Sequence, residues 1–311
     1  MKYRTLGKTG LRLSVLGFGG GRLYAGATGS GATDAEVVRV LSQARALGCN
    51  CFDTSPLYGA GQSERLLGSA FESCRQEVVF ITKFGITADR QADHDLRALR
   101  RSLEGSLHRL RTNYVDVLML HNPPPTYLAA DHPIHEALSE LRREGKLRFV
   151  GVSLDSVEDL TRAANSARFD VAEVVHNVMC QHALPAFPLA HANGLGLVLK
   201  SPLDSGWLSG KYDAESRFEG SRSRWTRAVL TARSLRYRRL SECYPAGWSP
   251  VDVALSFALA APGVAAVLPA SRSVEQLQSN AQACSRTLPP EVVAVLEERW
   301  RREFSGLALP W

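Results

Sequence analysis

Short apolar runs alternate with amphipathic stretches along almost the whole chain. Two short extended segments come first, residues 2–6 and 12–16, separated by Gly7-Lys8-Thr9-Gly10. Candidate strands then fall at residues 14–17, 50–53, 78–82, 115–120, 149–152, 171–176, 195–199 and 265–268. Helical signals fill the spaces between them. Thr33-Asp34-Ala35-Glu36 forms a capping box ahead of Val37, Val38, Val40, Leu41 and Leu47. Leu96, Leu99, Leu103, Leu107 and Leu110 lie on one helical stripe, with Arg97, Arg100 and Arg101 off it. Ser156-Val-Glu-Asp159 and Ser273-Val-Glu-Gln276 open two more helices.

A strand followed by a helix, repeated, is the sequence sign of βα units and a parallel sheet. A doubly wound sheet would carry a G-x-G-x-x-G turn after its first strand. Gly17-Phe-Gly-Gly-Gly21 and Gly26-Ala-Thr-Gly-Ser-Gly31 are glycine-rich without that spacing. Eight strands predict closure into an α/β fold with one (β/α)8 TIM barrel over residues 1–311, an N-terminal β-hairpin, and a long loop insertion after strand seven. The insertion spans residues 209–248, is helical over 226–243, and carries Arg217, Arg222, Arg224, Arg227, Arg233, Phe218 and Trp225. An insertion of this length is suited to closing over a ligand.

Composition narrows the classes. With 45% apolar and 22% charged residues the chain is an ordinary globular protein. Its longest apolar region, residues 253–270, is broken by Pro262-Gly263 and reads as a helix followed by a strand, too short for a membrane span. No secretory signal is evident at the start, and a soluble cytoplasmic protein is expected. The formal charge is +6, yet no aromatic-basic ribbon or recognition helix accompanies it. That excludes nucleic acid as the expected partner and leaves anionic small molecules. Six cysteines, at positions 49, 51, 74, 180, 243 and 284, lack paired zinc spacings, so neither a metal nor a disulfide framework is expected.

The candidate chemistry lies at strand ends: Asp53 and Tyr58 in Cys-Phe-Asp-Thr-Ser-Pro-Leu-Tyr-Gly, Lys83 in Phe-Ile-Thr-Lys-Phe-Gly, and His121 in Leu-Met-Leu-His-Asn-Pro. A phenol with an ordinary pKa of about 10 needs help to cycle its proton. An ammonium beside it favours phenolate, a carboxylate holds that ammonium, and an imidazole can donate to an oxygen gaining negative charge. Together they form a device for protonating a carbonyl oxygen. None supplies a hydride, so a reduction requires a cofactor, of which nicotinamide is the simplest.

Nearly the whole chain resembles the aldo-keto reductase superfamily, bacterial branch. The matching stretches are Tyr3-Arg-Thr-Leu-Gly7, Phe52-Asp-Thr-Ser-Pro-Leu-Tyr-Gly-Ala-Gly-Gln-Ser-Glu64, Thr82-Lys-Phe-Gly85, residues 116–123, Gly145-Lys-Leu-Arg-Phe-Val-Gly-Val-Ser153 and Ser201-Pro-Leu-Asp-Ser-Gly-Trp-Leu-Ser-Gly-Lys-Tyr212. The resemblance implies a TIM barrel, a nicotinamide cofactor extended across its rim without a Rossmann domain, and a catalytic tetrad of Asp53, Tyr58, Lys83 and His121. Gly21, Asp53, Ser201, Leu203, Ser205 and Leu208 are expected along the cofactor. In the family a serine, an asparagine and a glutamine hold the carboxamide, and an aromatic ring stacks on the nicotinamide. Here Ser153 matches, but Leu154, Glu173 and Lys200 occupy the other three places. Leucine cannot hydrogen-bond, ionised glutamate can only accept, and lysine cannot stack as a ring does. Lys200 is free to pair with Glu173 or to reach an anionic substrate.

Residues 269–280 resemble the segment that holds a cofactor 2′-phosphate, with Ser271, Arg272, Gln276 and Asn280 as contacts. Ala270 and Gln276 replace the basic residues of some members, and NADP(H) is favoured over NAD(H). Tyr24, Tyr58, His121 and Trp225 are the expected substrate contacts. The implied function is NADPH-dependent reduction of an aldehyde or ketone, such as a keto-sugar or a biosynthetic intermediate, with Tyr58 as the acid. Two alternatives stand beside it: NAD(P)+-dependent oxidation of a sugar or alcohol, and a nucleotide-binding regulatory subunit with little turnover.

Overall fold

The computed structural model describes residues 1–23, 33–218 and 223–307. Strands β1 (Tyr3–Thr5) and β2 (Arg12–Ser14) form an antiparallel hairpin. Eight parallel strands follow: β3 (Phe18–Gly19), β4 (Cys51–Asp53), β5 (Val79–Phe84), β6 (Val115–His121), β7 (Leu147–Ser153), β8 (Val171–Val175), β9 (Gly196–Lys200) and β10 (Val264–Leu268). Each pairs with its neighbours in chain order. A parallel bridge between Leu16 and Val267 joins the two ends of the sheet into a nearly closed barrel. Gly17 N–H donates to Val267 O at 2.9 Å and Val267 N–H to Val15 O at 3.0 Å.

The first barrel strand differs from its expected place. Ser14 pairs across the hairpin with Tyr3, so the predicted 14–17 segment is divided. Its beginning finishes the hairpin, Leu16 makes the closing bridge, and β3 starts only at Phe18. The helices open where the caps predict at Thr33, Ser156 and Ser273, which cap Asp34–Ala46, Val157–Ser166 and Val274–Ser285, and the helical stretch of the insertion is Arg227–Ser241, capped by Thr226. The apolar run before Pro262-Gly263 is the helix Pro250–Ala260, and β10 follows it.

Side chains alternate along a strand, and the alternation sorts the barrel into two cores. Phe52, Phe80, Leu118, Leu120, Val152, Val174, Leu197 and Leu199 belong to the outer core shared with the helices. Cys51, Val79, Ile81, Val117, Met119, Val171 and Val198 form the inner core, together with Leu6, Leu11 and Leu13 of the N-terminal hairpin. The hairpin thus plugs the end where strands begin. Gly7 and Gly196 allow its close approach, since a Cβ at Gly196 would sit 2.6 Å from the Leu6 side chain. The other end stays open. Continuing the inward parity one step past the apolar layers brings Asp53, Lys83, His121, Ser153, Glu173 and Lys200 to the C-terminal mouth.

Candidate active site

Six consecutive strands, β4 to β9, therefore each deliver one polar side chain to one small volume. Lys83 is 1% exposed and ion-paired to Asp53, and its Nζ also donates to Thr54 O at 3.2 Å. A second carboxylate faces the same ammonium, with Glu173 Oε2 at 3.2 Å from Lys83 Nζ. That oxygen has no aligned hydrogen-bond donor among the described residues, so its attraction to Lys83 is Coulombic. Ser153 links the next pair: its hydroxyl accepts from Lys200 Nζ at 2.9 Å and lies 3.2 Å from Glu173 Oε1, to which it donates. Lys200 also pairs with Asp155 Oδ1 at 2.8 Å, and Asn122 donates to the other Asp155 oxygen at 2.7 Å.

Tyr58 comes from the loop after β4, where Tyr58 N–H donates to Ser55 O at 3.0 Å. Its ring lies 5.3 Å from Lys83 Nζ and meets His121 edge-on, with centroids 6.5 Å apart. The backbone carbonyl of His121 is held by His94 Nε2 at 3.0 Å, while His121 Nδ1 is buried without a partner. Asp53, Tyr58, Lys83 and His121 are thus brought together.

The electrostatics follow from burial and from these neighbours. Burial pushes the Tyr58 phenol up; Lys83 pulls it down, and Asp53 and Glu173 push it further up. Burial and Glu173 raise the proton affinity of Asp53 against the pull of Lys83. Lys83 stays firmly an ammonium because two carboxylates outweigh its burial. His121 falls to about 2, by burial first and then by Lys83 and Lys200, and is a neutral imidazole at any working pH.

A cavity of about 610 Å³ opens from this cluster toward the helix Val274–Ser285. Gly21, Asp53, Tyr58, Glu173, Lys200, Ser201, Leu203, Ser205, Arg272, Gln276 and Asn280 line it. Several expected contacts lie behind the wall instead. Ser271 is buried and its hydroxyl accepts from Asn280 at 3.0 Å, Ser153 is covered, and Leu208 is packed with Trp207. Trp225 is a correction: it is 7% exposed and packs on Phe218 and Arg233 in a second aromatic core, away from the cavity. Tyr212, which meets Phe218 on that core's edge, reaches the cavity in its place. Tyr24 lies outside the described residues. Sequence reasoning missed Arg22 and Lys211, two basic residues in the wall; Lys211 belongs to the quoted Ser-Gly-Lys-Tyr stretch and was legible there. Lys200 was expected to meet Glu173 or a substrate, and it binds Ser153 and Asp155.

The loop after β9 bears on a cofactor. Ser201, Asp204 and Ser205 all have positive φ, at 52°, 45° and 58°, which non-glycine residues adopt only when their surroundings hold them. Asn177 donates to Ser201 O at 3.0 Å, and buried Arg233 pairs with buried Asp204 at 2.7 Å. This held loop faces the basic wall and the N-terminus of the helix Val274–Ser285, a setting suited to phosphates. At the other end of the cavity, Glu173 Oε2 lacks a hydrogen-bond donor, and an amide N–H is one. The residues present fit an extended dinucleotide with a carboxamide at the barrel mouth.

A (β/α)8 barrel with a Tyr, Lys, Asp and His cluster beside a long phosphate-suited cleft defines a class, the barrel oxidoreductases that work on carbonyls and alcohols. The aldo/keto reductase family model matches residues 15–301, and the chain belongs to that family of NAD(P)H-dependent oxidoreductases. It is 29% identical to an L-galactose dehydrogenase of Arabidopsis thaliana over 91% of this chain and 88% of the relative. It is 30% identical to a probable voltage-gated potassium channel subunit beta of rice, over 96% of each chain. A solved aldo-keto reductase of Bacillus halodurans, in its holo form, superposes with a TM-score of 0.81 at 25% identity, over 96% of each chain.

Proposed function

We propose that this protein reduces an aldehyde or ketone to the alcohol with NADPH, Tyr58 acting as general acid. The observation that carries the reading is the buried cluster in which Lys83, tied to Asp53, lies 5.3 Å from the Tyr58 ring while His121 stands edge-on to the same ring. A bound dihydronicotinamide supplies the hydride that becomes the new C–H bond. The protein does the rest. The carbonyl π pair moves onto oxygen, the Tyr58 O–H proton is transferred to that oxygen, and Lys83 stabilises the phenolate left behind until solvent reprotonates it. His121, neutral at working pH, offers a hydrogen bond to the oxygen without competing as an acid.

Arg272 at the cavity wall, beside the start of the helix Val274–Ser285, supports the choice of NADPH, since a guanidinium suits a 2′-phosphate. The lining is also basic near the mouth, with Lys200, Lys211 and Arg22, which suits a polar or anionic carbonyl such as a keto-sugar. The L-galactose dehydrogenase relative favours a second reading, sugar oxidation with NAD(P)+, because the same groups serve both directions. The channel-subunit relative favours a third, nucleotide binding with slow turnover. A carbonyl panel with NADPH and NADH, followed by Tyr58→Phe, tests the reading. The variant is expected to lose turnover by about 100-fold or more while binding nucleotide normally. Undiminished reduction by Tyr58→Phe would remove the tyrosine from the acid role.

A further inference from the structure

An ammonium in this site needs one counter-charge to be held in place, and it has two. Asp53 on β4 and Glu173 on β8 approach Lys83 from opposite sides of the barrel mouth. Both carboxylates are buried, at 5% and 1% exposure, so water screens little of their field. The groups on β6, β7 and β9 do not offset the second carboxylate, and Arg22, next to Gly21 against the Tyr58 ring, is the other cation on this side of the cavity. On β6 His121 is neutral, with His94 behind it on the carbonyl side. On β7 Ser153 carries no charge. On β9 Lys200 is positive, but Asp155 at 2.8 Å balances it. The cluster facing Tyr58 thus carries one negative charge in excess once both carboxylates are ionised.

We infer that Glu173 is a positioning residue that acts through Lys83, a second counter-charge that keeps Tyr58 in its proton-carrying form and so suits the site to carbonyl reduction over alcohol oxidation. The inference rests on the acid role of Tyr58 proposed above. Reduction begins from the phenol, whose O–H proton is given to the substrate oxygen. Oxidation begins from the phenolate, which takes the alcohol proton while the carbon-bound hydrogen leaves as hydride to NAD(P)+. A negative charge near the phenol disfavours the phenolate. It leaves reduction supplied with its proton and postpones the onset of oxidation to higher pH. Glutamine at the same place would keep the shape and hydrogen bonds of residue 173 and remove the charge.

Two measurements on Glu173→Gln decide this. The first needs no substrate: near-ultraviolet tyrosinate titration of the nucleotide-free protein, with Tyr58→Phe as the reference that isolates Tyr58. Glu173→Gln is expected to lower the pH at which Tyr58 ionises by about one unit or more, and Glu173→Asp to stay near the parent value. The second is the pH profile of turnover, with 4-nitrobenzaldehyde and NADPH in one direction and 4-nitrobenzyl alcohol with NADP+ in the other. The rising limb of oxidation, followed at saturating nucleotide, should move down in pH by the same amount; the position of that limb is the readout, because residue 173 also faces the carboxamide and its substitution changes nucleotide affinity in both directions. Should the glutamine variant fail to fold, Glu173→Met, of similar length and uncharged, replaces it. Superimposed titrations, or a shift upward, would overturn the role of Glu173. If the parent protein turns over in neither direction, the reductase reading fails, while the substrate-free titration still decides what Glu173 does to Tyr58.

Discussion

Lowering the pH from 7.5 to about 4.5 should destabilise this protein through two buried histidines, with Asp53 acting against them. His176, at the end of β8, is enclosed by Phe187 and Phe257 with ring centroids 5.2 and 5.3 Å away, and its Nδ1 has no hydrogen-bond partner among the described residues. Burial alone lowers it to about 3, and His121 is lowered to about 2. In the unfolded chain both titrate near 6.5. Between that value and about 3 the unfolded state binds two more protons than the folded state, so stability rises with pH and is lost as pH falls. Each histidine contributes about 1.4 kcal/mol per pH unit once the pH is a unit below 6.5. At pH ~4.5 the two together cost about 5 kcal/mol, comparable with the whole stability of many domains. Because both folded values lie below this window, the loss within it depends on the unfolded pKa alone. His94, His135 and His182, less deeply buried, are lowered by the same cause and act in the same direction, while Asp53, whose proton affinity burial and Glu173 raise, acts in the opposite one. Urea unfolding followed by tryptophan fluorescence at several pH values measures the slope directly. His176→Leu keeps the apolar cage and removes one proton, so the slope should fall by about 1.4 kcal/mol per pH unit. An unchanged slope in that variant would refute the reasoning.

Two further outcomes follow from other groups. Asp116, 1% exposed on β6, accepts from Arg75 at 2.7 Å, Arg148 at 2.8 Å and Phe80 N–H at 2.9 Å. Asp116→Ala leaves the Arg75 guanidinium buried without its carboxylate and should cost about 3–5 kcal/mol in chemical denaturation, with NADPH affinity of the folded fraction unchanged. Arg272→Ala should weaken NADPH binding about tenfold or more while leaving NADH binding nearly as it was, by fluorescence titration. Equal losses for the two nucleotides would place Arg272 away from the 2′-phosphate.

What could be read beforehand depended on whether a residue's role is local. Asp53, Tyr58, Lys83 and His121 announce themselves because polar groups at the ends of apolar strands have few places to go except the barrel mouth, and β4 to β6 put three of them there in succession. Capped helix starts are equally local, and Thr33, Ser156 and Ser273 hold them. The insertion shows the opposite case. Its arginines and aromatics suggested a lid, but Trp225, Phe218, Trp207 and Leu230 turn inward against the helices Pro250–Ala260 and Pro290–Phe304. Arg233 and Arg236 are buried with them because acceptors distant in sequence receive their protons: Asp204 for the first, the Met179 and Leu307 carbonyls for the second. Periodicity cannot supply a partner tens of residues away. The closing strand failed for a similar reason, since Ser14 was claimed by the hairpin.

The same distinction explains the atypical mouth of the barrel. Leu154, Glu173 and Lys200 depart from the family's carboxamide and ring-stacking residues. In the fold Leu154 is 2% exposed and belongs to the outer core, which its alternation from inward Ser153 requires, so it makes no demand for a polar partner. Glu173 and Lys200 do make such a demand, and they meet it without touching each other. Glu173 leans on Lys83 and accepts from Ser153; Lys200 donates to Ser153 and pairs with Asp155, which Asn122 holds in turn. The result is a continuous polar chain from β5 through β8, β7 and β9 to the loops after β6 and β7. Glu173, 1% exposed, would be a buried carboxylate without its ammonium if Lys83 were removed, whereas Lys83 without Glu173 would keep Asp53. A glutamate proposed to receive an amide also weighs on the Lys83 ammonium, so on this reading the hold on a carboxamide and the proton affinity of Tyr58 cannot be altered independently at that position.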